Sequence, residues 1–520
     1  MAKQKKKEVS LEAGLWNACN KLRGSVTATD YVNVVLGLLF LRFAYDKFKA
    51  QREKLLADEE TADFIDNPRF YSKDNVFFLE ENDRWNYIKD NSKSNKIFIY
   101  IDDAFRNMEK NNPTLKGALP IGFYITLHIE PSKFSSLIDE IDRIQYSQEE
   151  SDDVIGRVYE YFLKEFAVNA TKEEGEYYTP HDVVQLIASM IEPFDGTIYD
   201  PCCGSGGMFI QSADIVKTKQ GDISRIDVYG QEKEAATYRL AKMNLALRGI
   251  SHHLGEMSDS SFTHDLHKGL YFNYIMANPP FNLKGWYDEN LKNDARWADY
   301  ATPPESNANY AWILHMLSHL KPLEGVAGFL LANGALGDSD TVEIRKKLIQ
   351  NDKVEAIIIL PRELFITTDI SVTLWILNQN KKGGMYHGRN LRNRENEILF
   401  MDLRTWTENP VKNENKKKVR LIDEQIQKAA DIYHTWQIEG TDGTNYEVPE
   451  LYRSVSIKEI EKNGWSLILS KYVEFIDHDL DIDFNAEMSR IQKEMYEVLA
   501  KEKQSQKMLE DAFRGIGYEL

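Results

Sequence analysis

The middle of the chain alternates short apolar runs with longer segments of helical spacing, and this alternation is the strongest constraint on the fold. The runs begin at Thr197 and read "TIYDP", "DVYGQE", "YIMANPP", "AGFLLANG", "VEAIIILP" and "SVTLWILN". Strands separated by such segments predict a parallel α/β sheet with helices on both faces. Residues directly after the strands are therefore the first candidates for a ligand site.

Helical spacing dominates on both sides of this sheet. Before it, from Leu11 to about Asp142, apolar residues recur at intervals of three and four, which predicts an α-helical N-terminal domain. After it comes a long polar helix whose narrow apolar stripe is typical of a seam against another helix. The stripe consists of Met488, Ile491, Met495 and Leu499. The predicted domains are a helical domain over 8–145, a catalytic α/β domain over 150–465 and a helical tail over 466–520.

The charge balance limits the partners that the chain can bind. The 520 residues carry a formal net charge of −18, so much of the surface repels a polyanion. A nucleic acid therefore requires a local basic groove or a second, basic subunit. Two loop-like basic stretches occur late in the chain, "KKGGMYHGRNLRNR" from Lys381 and "KNENKKKVR" from Lys412.

Cysteine content and hydropathy indicate the compartment. The three cysteines are Cys19, Cys202 and Cys203, and the adjacent pair cannot easily form a disulfide or a metal knuckle, which predicts a reducing compartment without structural zinc. The apolar run over 31–45 is shorter than a membrane span and contains an arginine, so we interpret it as a buried helix. No secretion signal follows the basic N-terminus. We expect a cytoplasmic protein without membrane contact.

The first strand ends in a glycine-rich turn. Asp200 closes the strand, Gly204, Gly206 and Gly207 follow, and a helix begins near Met208. Glycines at this place let a ligand lie against exposed N–H groups at a helix N-terminus. The Walker lysine is absent and the dinucleotide spacing is incomplete. The alternative is a turn with a purely structural role.

An acid follows the next strand. Glu232 stands just past the apolar run, where doubly wound folds place a carboxylate on ribose hydroxyls. With the glycine turn it predicts a nucleoside-bearing cofactor without a pyrophosphate, and an exposed carboxylate at a helix start is the alternative. Upstream, Pro180 suits the first turn of an amphipathic helix and Thr179 its N-cap. Capping does not explain the adjacent Tyr177 and Tyr178.

The third motif is an amide, two prolines and an aromatic ring at the end of "YIMANPPF". An amino group on an aromatic base is a poor nucleophile because its lone pair is delocalised into the ring. The stiff proline turn holds Asn278 Oδ1 and the carbonyl of Pro279 in place. These two oxygens can accept hydrogen bonds from the N–H groups of the amino group and stabilise the charge that develops as it takes a methyl group. Phe281 then stacks on a base that has been swung out of the helix. The alternative is a proline turn that only ends a strand.

Together, "GEYYTP", "DPCCGSGGM" and "NPPF" resemble the motifs of the N6-adenine DNA methyltransferases. More narrowly, the chain resembles, nearly end to end, the modification (M) subunit of type I restriction-modification systems. The resemblance implies a Rossmann-like S-adenosylmethionine-dependent methyltransferase sheet with an α-helical N-terminal domain and a C-terminal helical extension. It also implies an adenine-specific DNA methyltransferase that uses S-adenosyl-L-methionine as its cofactor and needs no metal.

The resemblance assigns roles to individual residues. The catalytic residues that it implies are Asn278, Pro279, Pro280 and Phe281. The cofactor-binding residues that it implies are Glu176, Tyr177, Tyr178, Thr179, Pro180, His181, Asp200, Gly204, Ser205, Gly206 and Glu232. After the third strand, Asp259 is assigned to the adenine of the cofactor, with Glu256 as a competitor. Three neighbours, His264, Asp265 and His267, could suggest metal ligands, but we expect a solvent loop there.

The resemblance also implies partners. The chain has no P-loop for translocation and no region after the catalytic domain long enough for two DNA-reading domains, so we expect other chains to cut DNA and to read its sequence. The expected partners are double-stranded DNA, a specificity (S) subunit whose helical spacer meets the C-terminal helix, a second copy of M, and a restriction (R) subunit in the full complex. The alternatives are a stand-alone DNA adenine methyltransferase, a protein-glutamine N-methyltransferase and a scaffold with a vestigial cofactor pocket.

Overall fold

A computed structural model shows how these segments fold. It describes Trp16, Tyr161 and residues 28–143, 179–220, 225–365, 370–406, 410–413, 416–476 and 484–515. The chain divides into two compact units, Met1–Val473 and Glu474–Leu520.

The described part of the N-terminal region is helical. Its helices are α1 (Ala28–Ala57), α2 (Arg69–Ser72), α3 (Trp85–Asp90), α4 (Ile97–Asn111) and α5 (Pro131–Asp142). The apolar run over 31–45 lies in α1 and is mostly buried, because the other helices pack around it, so its interpretation as a buried helix is confirmed. No described helix has a stretch that is long and apolar enough to cross a membrane.

A mixed sheet of ten strands forms the centre of the first unit. Its strands are β1 (Gly196–Asp200), β2 (Ile226–Gly230), β3 (His252–His253), β4 (Tyr274–Ala277), β5 (Val326–Ala332), β6 (Val354–Ile359), β7 (Val372–Asn378), β10 (Glu397–Asp402), β13 (Glu447–Val448) and β14 (Tyr452–Ser456). They lie in the order β13-β14-β10-β6-β7-β5-β4-β1-β2-β3. Two separate hairpins join β8 (Gly384–Tyr386) to β9 (Arg389–Leu391) and β11 (Pro410–Asn413) to β12 (Lys416–Val419).

The prediction of a parallel sheet holds for most of the core and is wrong for β7. This strand lies between β5 and β6 and runs antiparallel to both, and β14 runs antiparallel to β10. A parallel return from β6 would need a crossover of helical size, and the connection over 360–371 leaves little room for one. The α/β class itself is confirmed.

Helices cover both faces of the sheet, as predicted. They are α6 (His181–Ile191), α7 (Gly207–Gln220), α8 (Ala235–Leu247), α9 (Asn309–His319), α10 (Val342–Gln350), α11 (Asp423–Gln437) and α12 (Ile457–Lys462). Alternate residues of a strand point to opposite faces, so Ile198 joins the apolar cluster under α6 and α7, whereas Tyr199 joins the cluster under α9 and α10.

The N-terminal helices pack on one helix of the sheet. Met243, Ala246 and Leu247 of α8 belong to the apolar cluster of the N-terminal region. Two lysines cross the same boundary, because Lys47 Nζ donates to the carbonyl of Leu247 at 3.3 Å and Lys242 Nζ donates to that of Lys116 at 3.0 Å. The boundary is thus part of the hydrophobic core.

The second unit contains α13 (Phe484–Gly515), a single long helix. The predicted stripe residues are all between 44% and 62% exposed within the chain. The proposed domain limits, 8–145, 150–465 and 466–520, remain a prediction.

Candidate active site

The predicted site residues gather where three neighbouring parallel strands end. In the sheet β4 lies beside β1, and β1 lies beside β2. Asp200 is the last residue of β1, Asn278 directly follows β4, and Glu232 stands two residues after β2. The structure therefore brings the glycine turn, the acid and the amide to one edge of the sheet.

The glycine turn is held from both sides. Gly204 and Gly206 have positive φ angles of 55° and 78°, which favour glycine because a Cβ clashes there. The Gly206 N–H donates to the carbonyl of Cys203 at 2.8 Å. The side chain of Asn244 on α8 donates to the carbonyl of Ser205 at 2.9 Å. The turn is therefore rigid before any ligand arrives, and α7 begins at Gly207, close to the predicted Met208.

Glu232 touches this turn directly. Its Oε2 accepts the Gly204 N–H at 3.0 Å and its Oε1 accepts the Glu234 N–H at 2.8 Å. The residue is only 8% exposed, and burial raises the pKa of its carboxyl above the ordinary value. Each oxygen retains a further acceptor position. The alternative of an exposed carboxylate at a helix start does not fit this burial.

Burial controls the protonation of the other groups in the turn. It raises the pKa of Asp200 to about 7, although the Cys202 N–H donates to the carboxyl at 2.9 Å. It raises the thiol pKa values of Cys202 and Cys203 well above their ordinary value, so both thiols stay protonated. Neither cysteine is therefore an activated nucleophile.

Gln231 fixes the segment that contains Asp259, and the sequence analysis did not single it out. Its Nε2 donates to the carbonyls of Asp259 at 3.1 Å and His264 at 2.8 Å. The Asp259 N–H donates to the carbonyl of Glu232 at 3.0 Å. The Asp259 carboxylate pairs with His264, which lowers its pKa, whereas Glu256 is exposed. The backbone geometry therefore favours Asp259 over Glu256 as a neighbour of Glu232.

Asn278 has one satisfied and one unsatisfied end. Its Nδ2 donates to Thr179 Oγ1 at 3.0 Å. Its Oδ1 is buried and has no hydrogen-bond partner in the part of the chain that the structure describes. A buried acceptor without a partner costs about 1–3 kcal/mol. Such an atom indicates a place where a ligand supplies the missing donor.

The proline turn presents a second acceptor and the aromatic ring. No described residue donates a hydrogen bond to the carbonyl of Pro279. The ring of Phe281 is half-buried and meets Phe365 edge to face, with centroids 6.2 Å apart and an interplanar angle of 83°. After the turn, Asn282 exchanges two hydrogen bonds with the side chain of Asn309 at 3.0 and 2.8 Å. Phe365 and Asn309 carry no local motif and were missed.

The segment before α6 corrects one prediction. The helix begins at His181 with Pro180 as its N-cap, and Thr179 does not cap it. The hydroxyl of Thr179 instead orients Asn278, which is 99 residues away in sequence. Pro180 is buried and His181 is exposed. The predicted Glu176, Tyr177 and Tyr178 lie outside the described residues.

The expected solvent loop over 264–267 is also corrected. His264 is exposed, but His267 is buried and bonds to the carbonyl of Gly230 at 2.8 Å, and Asp265 pairs with His319 of α9 at 3.0 Å. The loop folds inward because α9 offers buried polar partners.

Asp265, His315 and His319 form a cluster with the composition of a metal site. Every ring nitrogen already has a partner: His315 contacts Arg296 and Tyr199, and His319 contacts Asp265 and the carbonyl of Leu270. The Arg296 cation at 2.9 Å from His315 Nδ1 opposes a metal ion at this place. We assign the cluster to a buried hydrogen-bond network.

Comparisons with known proteins identify the family of the chain. The model of the N-6 DNA methylase family matches residues 150–480, and that of the HsdM N-terminal domain matches residues 11–141. The chain is 37% identical to the methylase subunit of type I restriction enzyme HindI from Haemophilus influenzae, over 81% of this chain and 92% of that one. It is 31% identical to the methylase subunit of type I restriction enzyme MjaIX from Methanocaldococcus jannaschii, over 98% and 91%.

A solved structure shares the fold. It is the methyltransferase subunit of a type I restriction-modification system from Streptococcus thermophilus, with a TM-score of 0.71 and 22% identity, and the match covers 89% of this chain and 99% of that one.

Proposed function

The chain belongs to the N-6 DNA methylase family and is a methylase subunit of the type I restriction-modification kind, and we propose that its Asn278 and Pro279 bind the amino group of the base that becomes methylated. The reaction is the transfer of a methyl group from S-adenosylmethionine to N6 of an adenine in DNA. The buried, unpartnered Oδ1 of Asn278 is the single observation that carries the proposal.

Two acceptors at the turn match the two N–H bonds of the adenine amino group. Asn278 Oδ1 and the Pro279 carbonyl each accept a hydrogen bond from one of these N–H groups. They hold the nitrogen with its lone pair free for the transfer. As positive charge develops on the nitrogen, both acceptors bind it more strongly than in the ground state. The prolines keep the acceptors in place, so little reorganisation is needed during the reaction.

Phe281 holds the base in this position. Its edge-to-face contact with Phe365 supports the ring, and base stacking on an aromatic ring contributes about 1–3 kcal/mol. The base must first leave the duplex, because N6 of a paired adenine lies inside the helix.

The residues at the edge fit the cofactor. Glu232 is a buried carboxylate with a free acceptor position on each oxygen, which suits the hydroxyls of a ribose. Gly204, Ser205 and Gly206 are assigned to the cofactor through the backbone of their turn, and Asp259, whose N–H donates to the carbonyl of Glu232, is assigned to its adenine end. S-adenosylmethionine supplies an electrophilic methyl group when bound. Thr179, Pro180, His181 and the preceding Glu176, Tyr177 and Tyr178 are assigned to its other portions.

The assembly is the coarser part of the proposal. Methylation, sequence reading and cleavage of double-stranded DNA would be divided among several subunits. These are the acidic M subunit, a second copy of it, an S subunit and an R subunit. The exposed stripe on α13 supports docking to the S subunit. Few cysteines support a cytoplasmic location.

The experiment compares Asn278→Ala with Asn290→Ala, a control at an exposed asparagine, in the purified complex with the S subunit. Losing one charge-stabilising acceptor should reduce the methylation rate by about 10²–10³. Calorimetry should show unchanged cofactor affinity. An Asn278→Ala complex of normal rate would refute the mechanism. Product analysis that finds N4-methylcytosine or a methylated protein amide would support a rival, and normal methylation without the S subunit would support a stand-alone enzyme.

A further inference from the structure

The proline turn, residues 278–281, is held at its first residue and again just behind its last. At the front, Thr179 orients the amide of Asn278. Behind Phe281 the chain reaches Asn282, whose φ of 55° lies in the left-handed region. Asparagine adopts this conformation more readily than most residues with a Cβ, but it persists only where the surrounding structure enforces it. The direction of the turn therefore depends on what holds Asn282.

Asn309, the first residue of α9, supplies the contacts that hold Asn282. Its Oδ1 accepts the Asn282 N–H at 3.0 Å, and its Nδ2 donates to Asn282 Oδ1 at 2.8 Å. One bond reaches the backbone and the other reaches the side chain, so together they fix the orientation of the residue as well as its distance. Asn309 is only 3% exposed, and hydrogen bonds are stronger where water is excluded.

The start of α9 is anchored in the core of the first unit. Tyr310, the second residue of the helix, is buried, and its hydroxyl donates to the carbonyl of Ala335 at 2.9 Å. Just before the helix, the Ala308 N–H donates to the carbonyl of Leu283 at 3.0 Å. With the two bonds of Asn309, three hydrogen bonds join the segment behind the proline turn to this fixed point. The segment cannot shift without breaking them.

Phe281 is the residue whose position these contacts control. Its backbone lies between Pro280, whose ring fixes its own φ, and Asn282, which Asn309 holds. An aromatic ring stacks on a base only at a defined height and tilt. A small misplacement of a group that positions a substrate can greatly reduce the rate of a reaction. The contact of Asn309 with Asn282 is therefore placed to affect the reaction although it lies behind the turn.

We propose that Asn309 is a positioning residue for the methyl transfer, which sets the direction of the proline turn through Asn282 and so the place where Phe281 holds the base. The inference rests on the proposed function, since it takes this turn as the place where the adenine binds. The cofactor residues Gly204 and Glu232 follow β1 and β2, whereas the turn follows β4. Asn309 therefore acts on the rate of methylation and not on the affinity for the cofactor.

The test compares Asn309→Ala with Asn273→Ala in the purified complex with the S subunit. Asn273 lies just before β4, at the opposite end of the strand that leads into the turn, and its Oδ1 accepts two hydrogen bonds from Thr197, both at 3.1 Å. Each variant thus removes an asparagine side chain that makes two hydrogen bonds beside β4. Single-turnover kinetics at saturating DNA and cofactor measure the rate, and calorimetry measures the affinity for the cofactor.

Asn309→Ala should slow methylation at saturation by about tenfold with normal cofactor affinity, because two hydrogen bonds no longer hold the turn. Asn309→Asp should restore most of the rate, since its carboxylate still accepts the Asn282 N–H and also accepts the side-chain N–H of Asn282 once that amide turns over. Asn282→Ala, at an exposed residue, removes one of the bonds from the other side and should also slow the reaction. Asn273→Ala should keep the normal rate.

A double variant tests whether Asn309 acts through the aromatic ring. In a Phe281→Ala background, Asn309→Ala should slow methylation less than it does alone, because the ring that it positions is gone. An undiminished effect there would overturn the proposal. So would normal saturated rates in both Asn309→Ala and Asn282→Ala, or equal slowing in Asn273→Ala, which would mean a general loss of structure. If Asn278→Ala methylates at the normal rate, the proposed function fails instead.

Discussion

At the scale of the residue, the unusual feature is an amide held at one end only. Asn278 donates to Thr179, so its amide cannot turn without losing that hydrogen bond, and Oδ1 stays directed away from it. Orientation of the amide is therefore a property of two segments that meet in the fold.

We expect Thr179→Val to slow methylation at saturating cofactor and DNA by about three- to tenfold, because one hydrogen bond of about 1 kcal/mol no longer orients the amide. Thr179→Ser keeps the hydroxyl and should restore the rate. Single-turnover kinetics measure the effect. If Thr179 serves only the cofactor, valine will weaken cofactor binding and leave the saturated rate unchanged.

Gly204 holds the glycine turn and Glu232 together through its backbone N–H. Valine at its φ of 55° costs about 1–2 kcal/mol and displaces the N–H that holds Glu232, so Gly204→Val should weaken cofactor binding measured by calorimetry. Gly122→Val is the control, because Gly122 also has a positive φ, of 75°, but lies in the N-terminal region. Equal cofactor affinity in the two variants would show that the glycine turn is not part of the cofactor site.

At the scale of the element, α9 and β1 enclose a polar network that makes the fold sensitive to acid. Burial, with help from His319 and Arg296, lowers the pKa of His315 well below its ordinary value. The unfolded chain therefore takes up a proton near pH 6.5 that the folded chain does not. Stability contributed by the neutral imidazole is present above that pH and is lost as the pH falls. Asp265, with a pKa of about 2, does not titrate in this range.

We expect His315→Gln to flatten the fall in unfolding free energy between about pH 7 and about pH 5, by up to about 1.4 kcal/mol per pH unit, although its stability at neutral pH is lower. Urea unfolding at the two pH values measures this. His128→Gln, at an exposed histidine, should keep the slope of the unaltered protein. A slope unchanged in both variants would show that His315 is protonated in the folded chain.

The helix α13 is the other element with a testable role. Ile491→Asp/Met495→Asp should prevent co-purification with the S subunit, because two charges would enter the helical seam. Ser489→Asp/Gln504→Asp adds the same charge on the outer face and should leave assembly intact. Deletion after Phe484 should act like the stripe variant and still bind cofactor. Normal assembly of the stripe variant would exclude the stripe as the docking surface.

At the scale of the whole molecule, the helical N-terminal region and the sheet share one core. Met243 lies on α8 of the sheet, is 2% exposed and belongs to the N-terminal cluster. We expect Met243→Ala to destabilise the protein by about 2–5 kcal/mol, because it opens a cavity at the boundary. We expect Met243→Asp to split thermal unfolding, measured by calorimetry, into two transitions. A single transition in that variant would mean that the two regions remain coupled through other contacts.

Local signals in the sequence predicted the candidate site and its chemistry. A strand, the turn after it and the motif in that turn occupy a few consecutive residues, so the glycine turn, Glu232 and the Asn278-Pro279-Pro280-Phe281 turn could be identified. The parallel strands then brought these segments to one edge of the sheet. The sequence also predicted the α/β class and the buried helix over 31–45, because periodicity is a local signal.

Contacts between residues far apart in the chain could be found in the fold alone. The contact of Thr179 with Asn278, the support of Phe281 by Phe365, the burial of His267 and the reversal of β7 each join segments far apart in the chain. Two basic stretches look alike in sequence, and the fold shows that the cations of the first, over 381–394, pair with internal acids. Composition gives each segment its charge, and packing decides what that charge faces.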